Sequence, residues 1–232
     1  MRIFVSPIAV GELVVRGDEH HYLSRVRRSR VGDPVDLVDG QGTRGRAEIV
    51  RIADAETVLH VTKIDTQPDL PPRLRCLIPM IKGDRMDTCL EKLVEVGTDE
   101  IVVWPATRAV VRLEPDRLDA RITKFRAGVI AAARQCGRIA IPIVRATSSL
   151  ATAISELPDG ARILLDPLAD REPFPTAEDV TIISGPEGGF TSKELDELIA
   201  AGFLSIGLGP RTLRAETAPV IAVALVRAQT SS

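Results

Sequence analysis

The chain has 232 residues, 44% of them hydrophobic, with 30 Lys and Arg against 32 Asp and Glu for a formal net charge of −2. That length and apolar content support one large or two smaller cores and exclude a disordered or fibrous chain. No run of about 18 uncharged apolar residues occurs, and the N-terminus lacks the pattern of a secretory signal, so a cytoplasmic protein with no membrane span is expected. Cys76, Cys89 and Cys136 are widely spaced and odd in number, which fits neither a disulfide framework nor a paired-cysteine metal site; they read as reduced structural residues.

The near-neutral total hides an asymmetry. Residues 1–72 carry 10 Lys/Arg and 11 Asp/Glu, residues 73–145 carry 14 and 9, and residues 146–232 carry 6 and 12. Within the first part, SRVRRSR places Arg25, Arg27, Arg28 and Arg30 in six positions, enough to grip a polyanion without a high overall pI.

In chain order, RIFV, ELVV, PVDLVDG, GRAEIVRI and TVLHVTKI are short strands separated by turn signals, a pattern that predicts a small, mostly antiparallel β-barrel over residues 1–70. One helix interrupts it at GDEHHYLSRVRRSRVGD, with Asp18 as the expected cap and Gly32-Asp33-Pro34 as the stop. The proline-rich TQPDLPPR then marks a domain boundary, and a second domain is expected over 73–232. There, apolar strands (LRCLIPMI, EIVVWPA, IPIVRA, ARILLDP, DVTIISG, FLSIGLG) alternate with helices expected over about 84–96 and 116–136, which predicts an α/β domain with a mostly parallel sheet. Ligands in such sheets bind at the carboxyl ends of strands.

Two of those strands end in glycine-rich loops. In ISGPEGGFTSKE the glycines let a ligand approach the main chain and Pro186 stiffens the turn, while Thr191 and Glu194 form a capping box that opens a helix. A tight strand-to-helix turn with no ligand explains the same residues. The loop lacks the Gly-Lys-Ser/Thr of a P-loop and the spacing of a dinucleotide fingerprint, and Glu187 with its acidic surroundings disfavours phosphate. In GLGPRTLRAETAPV, Gly207, Gly209 and Pro210 shape a second rim, followed by Arg211, Arg214 and Glu216; an ordinary surface ion pair is the alternative for these charges. The segment APVIAVALVRA is apolar nearly all round and must be buried in the core or against a partner subunit.

GPEGGF at 185–190 and LGPRTLRAETA at 208–218 closely resemble the signature loops of the bacterial 16S rRNA (uridine-N3) methyltransferase family of the SPOUT superfamily. Supporting blocks stand in the family's order: RIFV at 2–5, HHYLSRVRRSRVGD at 20–33, KGDRMD at 82–87, EKLVEVG at 91–97 and RQCGR at 134–138. Departures occur at Arg134, at Cys136 and in TRAV at 107–110. The resemblance implies a PUA-like RNA-binding β-barrel followed by a SPOUT domain with a deep trefoil knot, a homodimer, and S-adenosylmethionine as methyl donor without a metal. It also implies donor-binding roles for Leu165, Asp166, Gly185, Pro186, Glu187, Gly188, Leu208, Gly209 and Leu213.

The implied reaction is methylation of N3 of a uridine in 16S rRNA of the small ribosomal subunit. Arg214 is then expected to stabilise charge on the uracil oxygens, and Glu216 either accepts the N3 proton or fixes Arg214 in place. Arg2, Arg25, Arg27 and Arg28 are the candidates for RNA contact. His20 and His21 lack a metal-ligand cluster, and Trp104 reads as a core residue of a strand. Three alternatives stand beside this reading: a SPOUT enzyme for a ribose 2′-oxygen or a tRNA base, a non-catalytic ribosome-assembly factor, and a metabolic enzyme acting on a small nucleotide.

Overall fold

The computed structural model describes residues 1–66, 71–111 and 115–230, so residues 67–70 of the proline-rich boundary lie outside the described residues. The chain divides into two compact units, Met1–Asp69 with Ala133–Ile141 and Leu70–Ala132 with Pro142–Ser232.

In the first unit, β1 (Arg2–Phe4), β2 (Gly11–Arg16), β3 (Pro34–Val38), β4 (Thr43–Ile52) and β5 (Glu56–Thr66) form one sheet in the order β1-β3-β4-β5-β2. Three of its pairings are antiparallel and β1 joins β3 in parallel. Alternating residues Val35 and Leu37, Ala47 and Ile49, Leu59 and Val61 face a common core, as period-2 patterning requires. The sheet is a partial barrel: among the described residues β1 and β2 do not pair with each other, where the sequence led us to expect closure.

The helical insert helps to cover this sheet. It consists of α1 (Gly17–His21) and a π-helical turn over Tyr22–Val26, and it buries Leu23 in the sheet core. Two details differ from expectation. Arg16 holds the cap position while Asp18 lies in the first turn, and the helix stops at Val26, well before Gly32. His20 is a structural residue, its ring nitrogens meeting Thr57 Oγ1 at 2.9 Å and the Asp54 carbonyl at 3.2 Å. The stretch 133–141 joins this unit through Ile141 N–H donating to the Gly40 carbonyl, and through Arg134, which pairs with Glu19 and lies 5.0 Å over the Phe4 ring.

In the second unit six strands, β6 (Arg73–Pro79), β7 (Glu100–Trp104), β8 (Ile143–Ala146), β9 (Ala161–Leu165), β10 (Asp179–Ile183) and β11 (Leu204–Ile206), form an all-parallel sheet in the order β11-β9-β10-β6-β7-β8. Helices α2 (Asp84–Val96), α3 (Pro115–Cys136), α4 (Leu150–Ser155), α5 (Ser192–Ala200) and α6 (Ala218–Thr230) connect or follow these strands. The apolar runs are buried, with Leu77, Val102, Trp104, Leu164 and Ile183 sharing one core with Leu198 of α5. A buried carboxylate, Glu100, sits between Arg75 on β6 (2.6 Å) and Arg145 on β8 (2.7 Å). The capping box of α5 is complete: Thr191 N–H donates to Glu194 Oε2 at 2.7 Å, and Glu194 N–H to Thr191 Oγ1 at 3.2 Å. Helix α6 is fastened by Arg227, which donates to the carbonyls of Pro72 and Gly97 and pairs with Asp99.

Candidate active site

The strand order makes neighbours of three strand ends that are far apart in sequence. Strands β11, β9 and β10 lie side by side, so the loops after Leu165, Ile183 and Ile206 emerge together at the carboxyl edge of the sheet. They surround a cavity of about 630 Å³, a size suited to a ligand with a purine and a side arm.

The first loop is shaped from behind. Arg108 Nη1 donates to the carbonyls of Gly188 (3.3 Å) and Phe190 (3.1 Å), and a Cβ on Gly188 would stand 2.9 Å from the Arg108 Cβ, so only glycine fits there. Glu194 Oε1 accepts from Thr107 N–H at 2.9 Å, tying the helix that follows the loop to the same segment. The family departure at 107–110 therefore lies directly behind the first loop. Burial alone would raise the pKa of Glu194, but the hydrogen bonds from Thr191 and Thr107 outweigh it and hold the carboxyl below its ordinary value.

The second loop is pinned to the chain after β9. Gly207 N–H donates to the Asp170 carbonyl at 2.8 Å, and a Cβ on Gly207 would collide with the carbonyl oxygen of Ala169. Asp166 Oδ1 accepts from Leu168 N–H at 2.9 Å and its own N–H donates to the Ile206 carbonyl at 3.2 Å. These bonds fix the wall between the two signature loops.

Of the residues singled out from sequence, Leu165, Asp166, Gly185, Pro186, Glu187, Leu208, Gly209, Leu213 and Arg214 line the cavity. Gly188 does not; it faces Arg108. Glu216 stands just behind the lining, 3.9 Å from Arg214 and 3.6 Å from Arg85. Arg2, Arg25, Arg27 and Arg28 belong to the first unit, where all four are exposed and have no carboxylate partner among the described residues.

Other residues complete the lining, and three of them make contacts that the sequence did not reveal. Arg85, from the first turn of α2, reaches Glu187 Oε1 at 3.3 Å; Phe190 stacks on Trp104; and Ser184 brings a hydroxyl that is buried and has no hydrogen-bond partner among the described residues. The landmark KGDRMD pointed at the first, but nothing in its spacing identifies its partners. The local charge also differs from expectation: Arg85, Arg108, Arg211 and Arg214 outnumber Asp166 and Glu187 around the cavity, although the surrounding stretch of sequence is acidic.

Residues 68–227 match the RNA methyltransferase domain family, and residues 15–59 match the RNA methyltransferase PUA domain. The chain is 30% identical over 228 residues to the ribosomal RNA small subunit methyltransferase E of Mycobacterium bovis, covering 94% of this chain and 87% of that protein. The chain belongs to the ribosomal RNA small subunit methyltransferase E family.

Solved structures agree in fold. A ribosomal RNA small subunit methyltransferase E from Neisseria gonorrhoeae bound to S-adenosyl methionine superposes with a TM-score of 0.84 at 28% identity, covering 98% of this chain and 97% of that one. A methyltransferase from Legionella pneumophila in complex with the same cofactor gives 0.84 at 26% identity with the same coverage. The PUA match falls within the first unit, and the RNA methyltransferase match covers most of the second.

Proposed function

We propose that the chain is an S-adenosylmethionine-dependent methyltransferase that modifies N3 of a uridine in 16S rRNA of the small ribosomal subunit. The observation that carries this is the cavity at the joined ends of β9, β10 and β11, rimmed by both signature loops in a member of this family.

The residues present suit the donor. Leu165, Ile206, Leu208 and Leu213 supply apolar walls for a purine, and the Ser184 hydroxyl, without a hydrogen-bond partner among the described residues, supplies a polar contact. The donor would be held by these groups and by the main chain of Gly185, Pro186, Leu208 and Gly209. When bound it supplies a methyl group already activated as a sulfonium, so the protein has only to align the target and manage the N3 proton.

Arg214 and Glu216 are the residues for that task. The Arg214 side chain is 74% exposed at the cavity edge and only loosely paired with Glu216, leaving its guanidinium able to meet uracil oxygens as they gain charge. The Glu216 side chain is 14% exposed and is nearer to Arg85 than to Arg214, which favours proton acceptance over a role confined to holding Arg214. The exposed Arg25, Arg27 and Arg28, without carboxylate partners among the described residues, are with Arg2 the proposed phosphate contacts of a first domain over about residues 1–70.

The same reading includes a trefoil-knotted SPOUT form for the second domain, a cytoplasmic location and a homodimer. Helix α6 supports the dimer: Ala222, Val223 and Val226 are buried within the chain, yet Ile221 remains 40% exposed. Sedimentation analysis checks the dimer.

The deciding experiment incubates the protein with labelled donor and small ribosomal subunits, then digests the RNA and identifies the methylated nucleoside. N3-methyluridine is expected; label on a ribose or on tRNA overturns the proposal. Arg214→Ala should slow transfer with donor binding intact, and unchanged turnover would remove the electrostatic role.

A further inference from the structure

Arg85 occupies an awkward position. It lies in the first turn of α2, where the helix dipole disfavours a cation, and it is accompanied there by Asp84 and Asp87. Its carboxylate partners lie elsewhere in the chain. Arg85 Nη2 donates to Glu187 Oε1 at 3.3 Å, across 102 residues of sequence, and Nη1 lies 3.6 Å from Glu216 Oε2. One guanidinium thus spans carboxylates from both signature loops.

The two carboxylates differ in need. The Glu187 side chain is 28% exposed and water screens it in part, so its pair with Arg85 contributes little by itself. Glu216 Oε2, in contrast, is buried and accepts no hydrogen bond among the described residues, and a charge so placed requires a nearby cation. Arg214 stands farther away at 3.9 Å, and its side chain is twice as exposed as that of Arg85. Another titratable neighbour of Glu216 among the described residues is the buried Cys89 thiol of α2, which burial pushes far up. Arg85 is therefore the principal counter-charge of Glu216.

We propose that Arg85 is a positioning residue for methyl transfer: it fixes the Glu216 carboxylate in place just behind the cavity wall, and by gripping Glu187 with the same guanidinium it keeps the second loop in register with the first. This rests on the transferase reading above. It assigns Arg85 no contact with the target base and frees Arg214 from the task of neutralising Glu216.

The test compares Arg85→Met, which keeps the stem and removes the charge, with Arg85→Lys, which keeps the charge. Single-turnover transfer to small ribosomal subunits is measured at saturating donor, with donor affinity followed separately by calorimetry. Arg85→Met should slow transfer about tenfold, and in a Glu216→Gln background the same substitution should slow it by less than about twofold. Arg85→Lys should recover most of the rate. A wild-type rate in Arg85→Met, an undiminished effect of Arg85→Met in the Glu216→Gln background, or an Arg85→Lys enzyme as slow as Arg85→Met would each overturn the assignment. A wild-type protein that binds no donor, or that methylates another position, defeats the transferase reading instead.

Discussion

Trp104 and Phe190 lie face to face, their ring centroids 5.8 Å apart and their planes 9° from parallel. The same indole donates Nε1–H to the Ser184 carbonyl at 3.3 Å, so one fully buried side chain on β7 holds the first signature loop at both ends. Trp104→Phe keeps a ring but removes the donor, and should lower unfolding free energy by about 1–2 kcal/mol. Trp104→Leu loses the stack as well and should cost about 3–5 kcal/mol. Urea unfolding distinguishes them; equal losses would mean that the hydrogen bond and the stack are not separate anchors.

Ser184→Ala should separate stability from binding. Its hydroxyl is buried and unpaired, a condition that costs about 1–3 kcal/mol unless a ligand meets it. The variant should melt no lower than wild type without donor, while its donor affinity falls about five- to twentyfold. Calorimetry beside thermal melting reads both. An affinity equal to wild type would show that the hydroxyl does not contact the donor.

Acid should weaken the sheet through Glu100. Burial alone would raise its pKa, but hydrogen bonds and charge from Arg145 and Arg75 overcome that and hold it below the ordinary carboxylate value. A depressed folded value means that the contribution to stability is complete above the ordinary pKa, about 4.5, and is lost as pH falls through the lower folded value. Glu100→Gln should therefore destabilise the protein by about 3–5 kcal/mol at neutral pH, because Arg75 stays buried without its counter-charge. Its loss of stability on acidification should be shallower than that of wild type; equal acid slopes in urea unfolding would contradict this.

RNA affinity should fall steeply with added salt, since phosphate contacts release counterions. Replacing Arg25, Arg27 and Arg28 together by alanine should reduce the slope of log affinity against log salt by about 0.7–0.9 for each phosphate contact removed. Fluorescence titration of a small-subunit rRNA fragment at several salt concentrations measures it. An unchanged slope would move the RNA contact elsewhere.

Elements governed by local chemistry were legible from the sequence. Helix α2 spans 84–96 as its apolar spacing predicts, and the Thr191–Glu194 box forms with both of its hydrogen bonds. Helix α4 escaped notice because six residues are too few to display a period, although Ser149 caps it. Asp18 lies only two residues past the cap position taken by Arg16, and the identity of the residue did not decide between them.

Partnerships across the sheet were not legible. That β10 lies between β9 and β6 depends on the whole topology, and only this order carries Glu187 to Arg85 and gathers four arginines around a cavity in an acidic stretch of chain. The signature loops named the region of the site correctly, while the side chains that support it came from α2, from β7 and from the segment after β7.

The order of the three strand ends has a consequence for biosynthesis. Strands β9, β10 and β11 supply the cavity floor, yet its far rim is made by residues 208–214, which follow the last strand of the sheet in sequence. Most of the sheet can assemble while the pocket does not yet exist. A chain interrupted just before Leu208 would keep the first unit and all six strands of the second, but lack a complete place for a ligand. A complete sheet is therefore not yet a complete pocket: the ligand site needs the segment that follows the last strand.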